Sequence, residues 1–236
     1  MRAHQRPHRR SHNAADKGYR FVELPLARSV SALPRLLDLS SLRWQPSQWK
    51  WHRGTYFHVL RAGERAAGPA GALLTGVGHD SPTLQRTPEL RAWLDTAFVE
   101  SPPLAWIGAS PTGSVIRAHV DNTAHWDEHH RVHVPIQTSQ AARLCVEGRF
   151  AHLHAGSAWA LNNSRVHGAI NDGPLRIHLI VDLPDSAAVR RWIAEGCPVE
   201  GAEDPSALRR LERDPLCDLT PAERRNVGLV ERMRHQ

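Results

Sequence analysis

The chain has 236 residues, of which 41% are apolar and 23% charged. This length can bury a core of its own, so a fold that depends on disulfides or a structural metal is not required. No apolar run approaches the roughly 20 residues of a membrane-spanning helix, and the N-terminus lacks the apolar stretch of a secretory signal. Cys145, Cys197 and Cys217 form no C-x-x-C pair, which indicates reduced thiols and predicts a cytoplasmic protein.

The net charge of +6 comes from the N-terminal segment. The first 20 residues contain six Lys/Arg and one Asp, whereas the rest of the chain has 24 basic and 23 acidic residues. The body of the protein is therefore nearly neutral, and nucleic acid is not an expected partner of it. Association with nucleic acid through the basic tail alone is kept as an alternative, and it predicts a steep salt dependence that disappears when residues 1–20 are removed.

The first half of the chain predicts few regular elements. Residues 1–20 are expected to be a disordered basic tail. A short helix is predicted at 34–42, a strand at 54–60, and a helix at 88–99 with Thr87 as its N-cap. Three tryptophans of this region are expected in the core or in an interface: Trp44, Trp49 and Trp51.

From about residue 104, short β-rich runs alternate with turn residues. Their spacing favours a sandwich or barrel over βαβ units. Helices are predicted again at 186–195 and from a T-x-x-E capping box at Thr220 to about residue 233. The expected organisation is a tail (1–20), a mostly β domain with flanking helices (21–184, its β core from about 104) and a C-terminal helical extension (185–236). The predicted strands are 114–120, 131–138, 142–146, 158–162, 167–170 and 175–183.

The tripeptide His119-Val120-Asp121 is the first candidate for chemistry. Residues i and i+2 of a strand face the same side, so the imidazole and the carboxylate can bind one cation. His167, 46 residues after Asp121, is the candidate third ligand. Two histidines and one carboxylate on one face leave coordination positions open, as in the facial triad of non-haem Fe(II) oxygenases.

Two alternating runs place further cationic groups near that triad. In 175–183, Arg176, His178 and Asp182 share one face, and an arginine at the start of a strand can bind a carboxylate bidentately. In 131–136, Arg131 and His133 share one face and can bind an anion. The alternative for both runs is a solvated polar face, which sandwich strands normally have.

These runs together resemble the aspartyl/asparaginyl β-hydroxylase family of 2-oxoglutarate- and Fe(II)-dependent dioxygenases. The resemblance covers about a third of the chain, residues 115–183, and includes H-V-D, R-V-H-V-P-I, G-S-A-W-A-L-N-N, H-G-A-I-N and R-I-H-L-I-V-D. It implies a double-stranded β-helix, a cupin-like jelly roll, with the metal inside the mouth of the barrel. It also implies hydroxylation of an amino-acid side chain, of Asp/Asn type or similar, coupled to conversion of 2-oxoglutarate to succinate with O2.

The resemblance carries residue roles with it. It implies that His119, Asp121 and His167 bind Fe(II), that Arg176 pairs with the distal carboxylate of 2-oxoglutarate, and that Arg131 and His133 help to hold this cosubstrate. Asp121 makes the site similar to bacterial amino-acid hydroxylases, because animal members lack that carboxylate. A free amino acid or a peptide is therefore as good a substrate candidate as a protein.

Two points stay open in the sequence. A non-catalytic, cupin-like protein that binds a metal or a small molecule is the alternative function. His125, His129 and His130 are expected on a loop over the barrel mouth, either solvated or in contact with substrate. The oligomeric state is not predicted.

Overall fold

The computed structural model describes residues 16–47, 49–62, 78–121, 123 and 125–213. Within these ranges no helix is long and apolar enough to cross a membrane. The predicted helix that ends near residue 233 lies outside the described residues. So do residues 1–15 of the expected tail.

The described residues form a mostly β structure with short helices. Two 3-10 helices, Val30–Ala32 and Lys50–His52, precede the barrel strands. The strands are β1 (Phe21–Leu24), β2 (Gln45–Pro46), β3 (Tyr56–Ala62), β4 (His79–Asp80), β5 (Leu104–Ser110), β6 (Ser114–His119), β7 (His129–Gln137), β8 (Ala142–Val146), β9 (Arg149–Ala151), β10 (Ala158–Leu161), β11 (His167–Asn171), β12 (Arg176–Pro184), β13 (Cys197–Val199) and β14 (Ala202–Glu203). The helices are α1 (Leu33–Leu36), α2 (Pro82–Arg86), α3 (Pro88–Thr96), α4 (His125–Glu128), α5 (Ala187–Ala194) and α6 (Pro205–Glu212).

The strands form two antiparallel sheets. The major sheet has the order β13-β1-β10-β7-β12-β5-β3-β2, with β4 paired to β3. The minor sheet has the order β14-β9-β8-β11-β6. Consecutive strands repeatedly cross from one sheet to the other, as in a double-stranded β-helix. The predicted fold, mostly β with flanking helices in a jelly roll, is confirmed.

Side chains alternate along β12 and β7, so apolar residues lie on one face of the major sheet and polar residues on the other. Ile177, Leu179, Val181 and Leu183 join Val132 and Val134 in a hydrophobic core on the outer face of the major sheet. Leu33, Leu90, Trp93, Trp192 and Ile193, from α1, α3 and α5, close this core. The opposite face of the same strands carries buried polar side chains into the space between the sheets. The apolar face thus anchors the strands, and the polar face is left for a site.

A smaller apolar cluster closes one end of the space between the sheets. Leu144 and Val146 of the minor sheet pack there with Trp159 and Leu161 of the major sheet. On the outer face of the minor sheet, Ile170 packs against Ala207 and Leu211 of α6. Both faces of each sheet are therefore covered.

Several boundaries differ from the sequence expectation. The barrel begins before residue 104, because β1 and β3 are strands of the major sheet. The C-terminal segment also contains strands: β13 pairs with β1 and β14 pairs with β9. Thr87 precedes α3 but does not cap it, since its hydroxyl donates to the carbonyl of Thr83.

Gly168 permits the close approach of β11 to β6. A Cβ at this position would lie 2.7 Å from the carbonyl oxygen of Ile116 on β6. We expect Gly168→Ala to destabilise the fold by about 1–3 kcal/mol, because the backbone of β6 must move. For a chain of this length, thermal unfolding should show a fall in Tm of about 3–10 °C. An unchanged Tm would mean that β6 is not held at this distance.

Candidate metal and anion site

Two facing strands bring the predicted metal ligands together. His119 at the end of β6 pairs in register with His167 at the start of β11. The Nε2 atoms of His119 and His167 lie 3.8 Å and 3.9 Å from the two carboxylate oxygens of Asp121. One ligand atom from each residue lies within 4.8 Å of the others. Metal–ligand bonds of about 2.0–2.2 Å place two ligand atoms roughly 3–4 Å apart, so the cluster can hold one ion.

Backbone carbonyls fix both imidazoles in the form that binds a metal. His119 Nδ1 donates to the carbonyl of Arg117 at 2.7 Å, and His167 Nδ1 donates to that of Arg165 at 3.0 Å. With the proton on Nδ1, each Nε2 keeps its lone pair for a metal. Burial lowers the pKa of His167, and burial together with His167 lowers that of His119 to about 4. Both rings are therefore neutral at ordinary pH.

Asp121 is held as an ionised carboxylate. Asn163 Nδ2 donates to its Oδ2 at 2.9 Å, and Arg131 Nη1 donates to the same atom at 3.3 Å. Burial opposes ionisation, but electrostatic interactions with His167, Arg131 and His119, in which the imidazoles are protonated only at low pH, lower the pKa of Asp121 to about 2. Two neutral imidazoles and one carboxylate suit a first-row divalent cation such as Fe(II).

Arg176 carries unsatisfied donors into the barrel. It lies at the start of β12, is 5% exposed, and donates through Nη2 to Ser110 Oγ at 2.8 Å. Its Nε and Nη1 are buried without a hydrogen-bond partner among the described residues. Burial lowers the pKa of Arg176 to about 10, which leaves it a cation at neutral pH. A buried cation with free donors is costly unless a ligand supplies an anion.

Ser110 is a site residue that the sequence analysis missed. It ends β5, and its carbonyl accepts a hydrogen bond from Asn171 Nδ2 at 2.7 Å. The same amide also donates to the carbonyls of Pro111 and Pro174. Asn171 therefore holds the turn that presents Ser110 to Arg176.

Arg131 is engaged with protein carboxylates. It donates through Nε and Nη2 to the two oxygens of Asp182, at 2.9 Å and 3.1 Å, and its guanidinium lies between the rings of Trp106 and Trp126. Arg131 also donates to Asp121, and it therefore orients a candidate metal ligand. Arg131 and His133 both line the cavity that contains Arg176. Their predicted contact with a cosubstrate stays a prediction.

This cavity joins the metal cluster to Arg176. It has a volume of about 100 Å³ and is lined by His119, His167, His133 and Arg176. Apolar and aromatic side chains form its other walls, among them Trp49, Tyr56, Phe57 and Trp106. A cation bound by the triad and an anion bound by Arg176 would therefore share one water-poor space.

His52 is a further residue of the site that the sequence did not reveal. Its Nε2 lies 3.3 Å from His119 Nε2. Because His119 carries its proton on Nδ1, His52 is the donor in this contact, and a metal bound to His119 Nε2 would replace the hydrogen bond. Trp49 meets the His52 ring edge-on, and the plane of Trp51 is parallel to that of His119. Nothing in the sequence indicated that Trp49 and Trp51, which were expected in the core or in an interface, lie beside the candidate metal site.

The histidines between the two motifs are not a solvated loop. His125 lies in α4, its side chain is 6% exposed, and its Nε2 is 3.0 Å from Asp182 Oδ2. His130 belongs to β7 and contacts Tyr19 and Asp185. The expectation of loop residues was wrong because α4 and β7 reach further back along the chain than the alternating pattern showed.

A comparison with protein-family models supports the resemblance found in the sequence. Residues 72–185 match the model described as Aspartyl/Asparaginyl beta-hydroxylase. This match covers just under half of the chain and shows a resemblance to the aspartyl/asparaginyl beta-hydroxylase family. It indicates a hydroxylase, and the matched region contains the three candidate metal ligands and Arg176.

Solved structures similar to this chain include two oxygenases. A 2OG-Fe(II) oxygenase-family oxidoreductase from Burkholderia pseudomallei is 15% identical, with a TM-score of 0.47, over 77% of this chain and 88% of that chain. A prolyl-4-hydroxylase from Pseudomonas putida is 14% identical, with a TM-score of 0.44, over 72% of this chain and 95% of that chain. No curated protein matches the chain significantly. The similarity to this family thus rests on the sequence match of residues 72–185.

Proposed function

We propose that the protein is a 2-oxoglutarate- and Fe(II)-dependent dioxygenase that hydroxylates an amino-acid side chain. The observation that carries this proposal is the pair of Arg176 nitrogens that are buried without a hydrogen-bond partner in the described part of the chain, in the cavity that His119 and His167 also line. A dicarboxylate that chelates a metal with one end and needs a cation at the other would satisfy both halves of the cavity.

Each residue has a defined task in this proposal. His119, Asp121 and His167 would hold Fe(II), and Arg176 with Ser110 would bind the distal carboxylate of 2-oxoglutarate. The chemistry supplied by the bound iron, 2-oxoglutarate and O2 is insertion of one oxygen atom into a C–H bond, with succinate and CO2 as the other products. Asn163 and Arg131 keep Asp121 oriented, and the aromatic walls exclude water from the cavity.

The proposed substrate is an amino-acid residue of Asp/Asn type or similar, free or within a peptide. The family description supports this class. The H-x-D motif makes the site similar to bacterial hydroxylases that act on free amino acids. The test is aerobic incubation with Fe(II), 2-oxoglutarate and a panel of amino acids and short peptides. Substrate-dependent succinate and a product heavier by one oxygen atom are expected.

The same assay distinguishes a dioxygenase from the alternative, a non-catalytic, cupin-like binding protein. That alternative predicts metal binding through the histidines without any effect of 2-oxoglutarate. Metal binding with no succinate over the whole panel, and with no affinity for 2-oxoglutarate, would overturn the dioxygenase proposal.

Replacement of Arg176 by leucine is expected to abolish cosubstrate binding without loss of stability. Charge-assisted, bidentate hydrogen bonds are strong, so we expect affinity for 2-oxoglutarate to fall about a hundredfold or more. The fold should be as stable as before or more so, because the variant removes a buried, incompletely paired cation. Calorimetric titration of 2-oxoglutarate into Mn(II)-loaded protein under argon measures the affinity, and thermal unfolding measures the stability.

Two controls accompany this variant. Arg176→Lys keeps the charge but loses the planar fork, so we expect an intermediate affinity. Arg143→Leu removes an arginine that pairs with Asp204 on the other side of the minor sheet and should leave the affinity unchanged. Unchanged 2-oxoglutarate binding in Arg176→Leu would contradict the assignment.

A further inference from the structure

Two buried histidines meet beneath the cavity. His133 on β7 and His178 on β12 approach each other through their Nδ1 atoms at 3.4 Å, with ring planes at 80°. His178 is 1% exposed and His133 is 7% exposed. The Nε2 atom of each ring is buried and has no hydrogen-bond partner among the described residues.

The position of one proton determines what the pair can bind. Burial lowers the pKa of both rings well below the ordinary value, and Arg176 contributes to the shift in each, so both rings are neutral. A neutral imidazole carries one N–H, and a contact between two Nδ1 atoms holds one proton. The ring that donates through Nδ1 has a bare Nε2, and the ring that accepts must carry Nε2–H. One of the two unpartnered Nε2 atoms is thus a donor and the other an acceptor.

The position of each histidine relative to the cavity indicates which ring carries the Nε2–H. His133 lines the cavity with Arg176, whereas His178 lies behind it and is not part of the lining. An anion that binds Arg176 presents oxygen acceptors to its surroundings, so a donor is needed at the lining residue. The Nε2–H therefore belongs on His133, and the Nδ1–H belongs on His178.

We propose that His178 is a positioning residue that fixes the tautomer of His133. Its Nδ1–H donates to His133 Nδ1, and this leaves His133 with an Nε2–H for a carboxylate oxygen of the 2-oxo acid. The inference rests on the proposed function for the identity of that anion. It adds a residue whose effect on cosubstrate binding passes entirely through a second histidine.

Matched variants at residue 178 test the proposal. His178→Leu removes the donor, whereas His178→Asn places an amide N–H near the position of Nδ1. We expect 2-oxoglutarate to bind Mn(II)-loaded His178→Leu about five- to tenfold more weakly, the effect of one neutral hydrogen bond, and His178→Asn to recover most of the affinity. In turnover, KM for 2-oxoglutarate should rise in His178→Leu while kcat stays within about twofold.

A spectroscopic measurement reads the tautomer directly. Long-range ¹H–¹⁵N spectra of the Zn(II)-loaded protein should show His133 with a protonated Nε2 and a bare Nδ1. In His178→Leu the two tautomers of His133 should become mixed. His154→Leu is the control, since His154 is 52% exposed, pairs with Glu23 and is not part of the cavity lining. It should change neither the spectrum of His133 nor the affinity.

The outcomes separate this inference from the proposed function. Failure of the wild-type protein to bind 2-oxoglutarate would overturn the proposed function, and with it the anion named here. Equal binding by wild type and His178→Leu, or an Nδ1–H on His133 in the wild type, would overturn the role of His178 while leaving the proposed function intact.

Discussion

Replacement of Asp121 by alanine is expected to abolish hydroxylation by removing the metal. Asp121 supplies the one carboxylate of the candidate cluster, and its negative charge offsets part of the charge of a divalent ion. Loss of partners that only orient metal ligands typically costs 10–100-fold in affinity, so loss of a ligand should cost at least about a hundredfold. Competition with a chromophoric chelator measures this affinity, with Co(II) as the probe ion.

Two further variants show whether metal affinity depends on the charge of Asp121 and on its orientation. Asp121→Asn keeps the size of the side chain but removes its charge, and it should resemble Asp121→Ala. Asn163→Ala removes only the hydrogen bond to Asp121 Oδ2 and should fall between wild type and Asp121→Ala. Stability should change little, because Arg131 keeps both hydrogen bonds to Asp182. Wild-type metal affinity in Asp121→Ala would show that the ion binds elsewhere.

Replacement of Asp182 by alanine is expected to be the most destabilising change in the site. Asp182 is fully buried and accepts both bonds of the Arg131 fork, and it also contacts His125. Without it, Arg131 is a buried cation with a single, longer contact to Asp121. Breaking a buried pair in this way typically costs 3–5 kcal/mol, which corresponds to a fall in Tm on the order of 10 °C for a chain of this length.

An exposed pair provides the matched control for Asp182. Arg210 and Asp172 lie 2.7 Å apart, with 42% and 41% of their side chains exposed. Asp172→Ala should change the free energy of unfolding by less than about 1 kcal/mol. The double variant Arg131→Met, Asp182→Leu should recover much of the stability lost in Asp182→Ala, because no unpaired charge remains. Equal Tm values for Asp182→Ala and wild type would mean that Arg131 is not a buried cation.

Regular alternation made β7 and β12 predictable, and with them the inward positions of Arg131, His133 and Arg176. β5 was missed because its residues are buried on both faces of a central strand, so L-A-W-I-G-A-S shows no period of two. Ser110, the last residue of β5, was missed for the same reason. The pairing of Arg131 with Asp182 depends on the register between β7 and β12, which neither strand encodes alone.

The cluster of candidate metal ligands was predictable for a different reason. H-x-D predicts two candidate ligands on one side of the chain by local geometry, and His167 was the candidate third ligand that the family resemblance also implies. His52 has neither signal, because it lies in a 3-10 helix whose approach to His119 is purely tertiary. Local patterns therefore predicted the candidate ligands but not the residues that surround them.

The facing positions of His119 and His167 link metal binding to the stability of the barrel. β6 is the outermost strand of the minor sheet and is paired to β11 alone among the described strands. An ion bound by both histidines would cross-link this edge strand to β11, and its binding energy would add to the energy of folding. We therefore expect the metal-free protein to exchange its β6 amide hydrogens faster than the metal-loaded protein, a difference that hydrogen exchange would measure.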